Sequence, residues 1–183
     1  MNTHDGLSPE AVTLKWIERV VIGENLCPFA RPVFERLTLT VCAELSDDSF
    51  LDAVLAHVLG LMEQSVDERP TSILILKNLG RDFEEYLDLA ELANSVLDQI
   101  GAADEIQIAT FHPQYQFADS DVDDPANWTN RSPWPMFHFL RTADVASANL
   151  DHPDVAQIPR RNIEHFRALG RTAVQKLRNA CLS

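Results

Sequence analysis

Residues 111–141 hold the densest set of side chains that can do chemistry. The segment reads Phe-His-Pro-Gln-Tyr, then an acidic run, then Asn-Trp-Thr-Asn-Arg-Ser-Pro-Trp-Pro. A compact domain seldom carries about 20 residues without regular structure unless the loop is functional or disordered. Aromatic side chains argue against disorder, and this segment contains Tyr115, Phe117, Trp128 and Trp134. The sequence therefore predicts an ordered, site-forming loop.

Two histidines in this segment are candidate catalytic residues and metal ligands. His112 precedes Pro113, which keeps it out of the helical region. An imidazole held in this way can act as a general acid or base, bind a metal or serve as a hydrogen-bonding wall. His138 lies in an alternating apolar run, where a structural role is favoured over a catalytic one. With a carboxylate from residues 119–124, the two imidazoles would form a two-histidine, one-carboxylate site for a divalent metal, although their spacing fits no short metal motif.

A second group of side chains suits an anionic ligand. An amide, a guanidinium and a hydroxyl follow one another in residues 130–132, and such groups bind carboxylates or phosphates. The alternative is that the arginine of this run neutralises the acidic residues 119–124. The predicted substrate-binding set comprises Asn130, Arg131, Ser132, Arg141, Arg160 and Tyr115. Arg160 and its neighbour Arg161 fall at the start of a predicted helix, where anions are favoured.

Cys27 is a third candidate catalytic residue. It precedes Pro28 near a predicted helix start, with Arg31 close by, and these conditions lower a thiol pKa. The alternative is a small buried hydrophobic residue. The chain has no G-x-S-x-G, P-loop, G-x-G-x-x-G or H-E-x-x-H motif, so serine hydrolase, nucleotide-binding and zincin functions lack support.

Composition narrows the class of protein. The chain has 183 residues, 45% of them hydrophobic, which predicts one domain over residues 1–183. A net charge of −13 opposes binding to nucleic acid or to anionic membranes. No apolar run approaches the roughly 18 residues of a membrane span, and the first residues lack a signal-peptide core. Three scattered cysteines suggest no disulfide framework. We expect a cytoplasmic protein.

Strand and helix patterns alternate along the chain and predict an α/β fold. Strand patterns occupy residues 37–45, 72–76 and 105–110, with helical patterns at 46–64 and 82–100 between them. This order predicts βαβαβ units over residues 36–112 and a mostly parallel sheet of three to four strands covered by helices. Residues 136–140 are predicted as an edge strand and 159–180 as one C-terminal helix. Ligands collect at the carboxyl ends of such strands, where the loop 111–141 begins.

The chain resembles a family, bacterial and also found in plants, catalogued as domain of unknown function 1415 (DUF1415). The resemblance rests on segments along nearly the whole chain: 25–29, 111–117, 127–135, 138–141 and 158–163. His138-Phe139-Leu140-Arg141 stands where a His-Leu-Leu-Arg run is expected, a conservative departure. The resemblance implies no catalytic assignment.

Three functional hypotheses follow. The leading one is an enzyme, such as a small-molecule hydrolase or transferase, that acts on a small anionic metabolite with His112 as acid or base. In it, Asn130 and Arg131 orient the anion. The alternative is a non-enzymatic domain that binds a metabolite or a protein through Trp128, Trp134 and Tyr115. The third is metal-dependent chemistry or redox chemistry at Cys27.

Overall fold

A four-stranded sheet forms the centre of the molecule. The computed structural model describes residues 6–44, 46–151 and 155–182. Its strands are β1 (Thr38–Cys42), β2 (Ser72–Leu76), β3 (Ile106–Phe111) and β4 (Met136–Arg141), in the spatial order β1-β2-β4-β3. The three strands predicted before the loop are confirmed, but β1 ends at Cys42, before the predicted end at Leu45, which lies outside the described residues.

Helices cover both faces of this sheet. They are α1 (Pro9–Trp16), α2 (Ala30–Val33), α3 (Asp47–Glu63), α4 (Phe83–Gln99), α5 (Thr142–Asp151), α6 (Ile158–Leu169) and α7 (Arg171–Asn179). A π-helical stretch, Ile17–Ile22, continues α1, and 3-10 turns occupy Phe34–Arg36, Pro125–Thr129 and Val155–Gln157. None of the helices in the described part of the chain is long and apolar enough to cross a membrane.

Side-chain caps begin three of the helices, α1, α3 and α4. The hydroxyl of Ser8 accepts a hydrogen bond from the N–H of Ala11 at the start of α1. Ser46 caps α3 in the same way, and Asp82 accepts from two N–H groups at the start of α4. Such caps satisfy main-chain donors that have no partner within the helix.

The sheet is mixed, so the prediction of a mostly parallel sheet is wrong. β1 and β2 are parallel, but β4 runs antiparallel to both β2 and β3. The chain leaves β3 and enters β4 at the same edge of the sheet, and without a crossover the second strand must reverse direction. The prediction that 136–140 forms an edge strand is also wrong. β4 lies between β2 and β3, and its Met136, Phe137 and Phe139 are fully buried.

The predicted C-terminal helix, 159–180, is two helices. Gly170 separates α6 from α7 with φ +78° and ψ 155°, a conformation that is essentially restricted to glycine. Its N–H still donates to the carbonyl oxygen of Phe166. The chain therefore turns at Gly170, and α7 can pack against the loop that follows β3.

Two apolar cores lie on the two faces of the sheet. Leu74, Leu76 and Phe137 face α3 and α4, in what we call the α3/α4 face. Ile73 and Ile75 face α1, its π-helical extension, α6 and α7. The alternation follows from the two-residue period of a strand. The carboxyl ends of β1, β2 and β3 meet at one edge, here called the carboxyl edge, and the opposite edge is the amino edge.

Candidate functional site

His112 lies at the carboxyl edge, directly after β3, and is fully buried. Its Nε2–H donates to the carbonyl oxygen of Gly80 at 2.9 Å, and its Nδ1 accepts from the N–H of Gln114 at 3.0 Å. These partners define a neutral imidazole protonated on Nε2. Burial lowers the pKa of His112 below its usual value. The imidazole joins two loops, and acid–base chemistry would require it to give up one of these bonds.

Tyr86 of α4 fixes the strand ends beside His112. Its hydroxyl donates to the carbonyl oxygen of Met136 at 2.9 Å and accepts from the N–H of Phe111 at 3.0 Å. The tyrosine ring lies 5.0 Å from the His112 ring, between ring centroids. One buried hydroxyl thus connects α4 to the end of β3 and the start of β4. Burial raises the pKa of Tyr86, so the hydroxyl remains protonated.

His138 lies on the opposite face of the sheet from His112. It stands opposite Ile73 in β2 and Ala109 in β3, whereas the His112 ring packs on α4. Its Nε2 contacts the hydroxyl of Thr71 at 2.6 Å. Because Thr71 donates to the carbonyl oxygen of Phe139, the imidazole is the donor in this contact. Burial lowers the pKa of His138 to about 4.

The predicted metal site with His112 and His138 is therefore not formed, because a sheet separates the two imidazoles. Nor, within the described residues, does any group of three or more His, Cys, Asp and Glu side chains stand where it could hold a metal ion. His138 also cannot assist His112 in one pocket.

Asn130 and Ser132 stabilise the loop itself. The Asn130 amide donates to the carbonyl oxygen of Thr110 at 3.1 Å, and its main-chain oxygen accepts from the N–H of His112 at 3.2 Å. The hydroxyl of Ser132, fully buried, donates to the carbonyl oxygen of Trp134. Both polar side chains thus have main-chain partners, one at the end of β3 and one within the loop.

Arg131 is 8% exposed and holds the loop from inside. Its Nε donates to the carbonyl oxygen of Tyr115 and its Nη2 to that of Val122, each at 2.9 Å. The guanidinium carbon lies 5.1 Å from the centre of the Trp128 ring, a cation–π distance. Nη1 makes no hydrogen bond to a residue that the structure describes. Burial, and then the charge of Arg171, lower the pKa of Arg131.

Two aspartates of the acidic run form ion pairs with arginines of the C-terminal helices. Asp124 pairs with Arg167 of α6 at 2.6 Å, and Asp123 pairs with Arg171 of α7 at 2.6 Å. The hydrogen bond from Arg167 lowers the pKa of Asp124. Within the described residues, Arg131 forms no ion pair with a carboxylate.

Arg141 lies at the amino edge, away from Arg131. Its guanidinium donates five hydrogen bonds, at 2.7 to 3.2 Å, to main-chain carbonyl oxygens. The acceptors end α3 and precede β2: Leu61, Gln64, Arg69 and Pro70. The expectation that Arg141 reinforces an anion site beside Arg131 is wrong, because the two residues lie at opposite edges of the sheet.

Arg160 is exposed on the first turn of α6. Its Nη2 donates to the side chain of Gln157 at 2.6 Å, and Glu164 lies at 3.9 Å. The neighbouring Arg161 donates to the carbonyl oxygen of Asn25, so this turn lies by the loop that follows the π-helical stretch. The contact of α6 with the acidic run is made from its other end. The structure does not bring Arg160 to Arg131.

Cys27 is half-buried in the loop after the π-helical stretch. Burial raises the pKa of its thiol, and hydrogen bonds from the main chain at Phe29 and Ala30 offset this only in part. The expected lowering of the pKa is therefore not present. At neutral pH the residue is a thiol, which is a weak nucleophile.

An open depression of about 440 Å³ lies at the carboxyl edge beside the start of α4. We call it the loop depression. Its lining residues are Asp82, Phe83, Glu84, Pro113, Gln114, Gln116, Val122 and Arg131. Tyr115 stands behind this lining, with its ring 5.4 Å from that of Phe83 between centroids. The lining thus combines two acidic side chains, Asp82 and Glu84, with the guanidinium of Arg131.

Sequence reasoning missed Arg178 as part of this region. Its Nε donates to the carbonyl oxygen of Ser132 at 3.0 Å. Burial, and then the charge of Arg131, lower the pKa of Arg178 to about 10. One signal was available, because Arg171, Val174 and Arg178 recur at the i, i+3, i+7 spacing of a single helix face. Asp82 and Glu84 carried no comparable signal, since acidic residues are common in a first helical turn.

The fold and the site define a mixed α/β protein whose loop after the third strand lines an open depression at the carboxyl edge. The chain belongs to the family described as protein of unknown function (DUF1415), whose profile matches residues 9–176. The resemblance seen in the sequence is thereby confirmed. No curated protein and no solved structure matches the chain.

Proposed function

We propose that the protein binds a small anionic metabolite in the loop depression, with Arg131 as the partner of the anionic group. One observation carries the proposal. The guanidinium of Arg131 lines the depression, is 8% exposed, and makes no ion pair with a described carboxylate. Removing a charge from water is costly unless a counter-charge is present. The charge of Asp123 acts on Arg131 only weakly and without an ion pair, and a ligand carboxylate or phosphate supplies a direct counter-charge.

Arg178 adds a second positive charge near Arg131. It bonds to the carbonyl oxygens of Ser132 and Pro133 and, like Arg131, forms no ion pair with a described carboxylate. The two guanidinium groups are close enough that the charge of Arg131 lowers the pKa of Arg178. Two partly buried like charges create a local positive potential in a chain whose net charge is −13.

Enzymatic activity, as a hydrolase or transferase that uses His112, stays a prediction. It is supported by the position of His112 next to the depression. Pro113 and Gln114 line the depression, and the N–H of Gln114 donates to His112 Nδ1. A small movement of this turn would free Nδ1 as a base. The chemistry would then involve His112 alone, since His138 lies across the sheet.

The protein-binding alternative receives less support from its expected anchors. Trp128 is 7% exposed and packs in the core beside α6 and α7. Tyr115 is half-buried against Phe83 and Phe117. Val122, at 60% exposure, is the more exposed apolar side chain of the loop. Aromatic anchors for a partner need accessible rings, which Trp128 does not offer.

The test is a nuclear magnetic resonance titration of the full chain with inorganic phosphate and with acetate. We expect saturable shifts of the main-chain amides at 114–116, 122 and 131–132, and none at the first turn of α6. Arg131→Lys keeps the charge but loses the planar guanidinium, and should weaken binding about tenfold. Arg160→Lys is the matched control and should bind as the parent does. Absence of saturable shifts at the depression, measured on the parent chain, would overturn the proposal whatever the variants do.

A further inference from the structure

We infer that the ligand of the loop depression is zwitterionic and carries an ammonium group beside its anionic group. The inference rests on the proposed function, because it concerns the same depression and takes Arg131 as the anion partner. It adds the chemical class of the ligand, namely a small molecule of the amino-acid type.

The charges that line the depression favour a ligand with one positive and one negative group. Asp82 and Glu84 line it together with Arg131. Oδ1 of Asp82 accepts the N–H groups of Glu84 and Glu85, whereas the carboxylate of Glu84 makes no hydrogen bond or ion pair with a described residue. A simple anion placed at Arg131 is repelled by both carboxylates. A ligand with a positive group toward Glu84 and a negative group toward Arg131 meets an opposite charge at each end.

An aromatic wall adds to the cationic half of the site. Phe83 lines the depression between the two acidic residues in sequence, and its ring lies 5.4 Å from the ring of Tyr115 between centroids. Ammonium groups bind to aromatic faces and to carboxylates together, as in the cages that recognise methylated ammonium ligands. Gln114 offers a further amide, and its side chain makes no hydrogen bond with a described residue.

The volume favours a small ligand. A depression of about 440 Å³ is at the lower part of the range, roughly 300 to 1,000 Å³, of small-molecule sites. Because the depression is open to solvent, the ligand must gain its affinity from a few charged contacts. An amino-acid-sized zwitterion places two such contacts within one small molecule.

The experiment measures binding of single compounds to the full chain by calorimetry at low salt. The probes are acetate for the anion alone, methylammonium for the cation alone, and glycine, β-alanine, γ-aminobutyrate and trimethylglycine for zwitterions of different length and ammonium type. We expect at least one zwitterion to bind about tenfold more tightly than acetate, the gain from one added charge-assisted contact.

Replacing each acidic residue of the lining by its amide tests whether that carboxylate binds the ammonium group of the ligand. Glu84→Gln should weaken the best zwitterion about tenfold and leave acetate unchanged or slightly stronger, because one repulsive charge is removed. Glu91→Gln, an exposed position on the same helix outside the lining, is the matched control and should change neither. Asp82→Asn keeps the capping acceptor and serves as a second variant.

The outcomes distinguish the two proposals. Acetate that binds as tightly as every zwitterion, or zwitterion binding that is indifferent to both Glu84→Gln and Asp82→Asn, would overturn the zwitterion inference and leave the anion site standing. Failure of all six probes to bind would overturn this inference, and if phosphate also gave no saturable shifts, the proposed function would be overturned with it.

Discussion

The Nε2–H of His112 donates to the carbonyl oxygen of Gly80 at 2.9 Å and so joins the loop after β3 to the loop after β2. Gly80 has φ +57°, and a Cβ built there would lie 3.1 Å from a methyl group of Leu89. Glycine is therefore needed both for the backbone conformation and for the close approach to α4. In the sequence His112 resembles a catalytic base. In the structure this hydrogen bond links two loops at the carboxyl edge, so the residue has a structural role.

Replacement of His112 by alanine should destabilise the fold. His112→Ala removes a buried ring and leaves the carbonyl oxygen of Gly80 and the N–H of Gln114 without their partner. We expect a loss of about 3 kcal/mol in the free energy of unfolding, measured by urea denaturation. His165→Ala, at a half-exposed imidazole bonded to Glu24, is the control and should cost less than about 1 kcal/mol. Equal losses in the two variants would contradict the structural role.

The stability of the protein should fall between about pH 6.5 and pH 4. Burial lowers the pKa of His57 and of His138 from 6.5 to about 4. In this window the unfolded chain binds more protons than the folded one, so the stabilisation is complete above pH 6.5 and is lost as the pH falls. Each histidine contributes at most about 3 kcal/mol.

Urea denaturation at a series of pH values measures how the free energy of unfolding changes with pH. His138→Gln should reduce this pH dependence, because it removes one of the buried histidines, even if the variant is less stable at pH 7. A slope over this window that is the same in the variant and the parent would show that His138 does not contribute.

Arg141 should be important for stability and irrelevant to ligand binding. Arg141→Lys loses the planar group that donates to four carbonyl oxygens at the amino edge, and we expect destabilisation of about 2 to 3 kcal/mol. Thermal denaturation measures the first effect and the phosphate titration measures the second. A stable Arg141→Lys variant that no longer binds phosphate would contradict the placement of the two arginines at opposite edges.

Cys27 should react slowly in the folded protein. Because burial raises the pKa of its thiol, the thiolate fraction at pH 7 is smaller than that of a free cysteine. We expect iodoacetamide to modify Cys27 at least about tenfold more slowly in the native chain than in urea, with the site identified by peptide mass spectrometry. Faster modification in the native state would restore the redox hypothesis.

Local patterns in the sequence were sufficient for most of the elements. The caps at Ser46 and Asp82, and the short apolar run of β2, each depend on neighbouring residues, so these helix starts and this strand follow from short segments. The location of the depression at the carboxyl edge could also be predicted, because it follows from the order of strands and helices along the chain.

Strand order and side-chain partners depend on contacts between distant residues. An alternating apolar run does not show how many neighbouring strands it has, so the sequence predicts an edge strand where the structure places β4 between β2 and β3. The break at Gly170 escaped prediction because a single glycine can also sit within a helix.

Residue type and spacing alone determined that His112, Arg131 and Arg141 belong to polar, ordered surroundings in an α/β protein. The tertiary structure decided what each one touches. His112 and His138 lie on opposite faces because successive side chains along a strand point to alternate faces of the sheet. Arg131 and Arg141 lie at opposite edges because β4 runs from the carboxyl edge to the amino edge between them. A guanidinium bonds equally well to a ligand or to a carbonyl oxygen, and which of these it meets is settled by the packing of segments far apart in the chain.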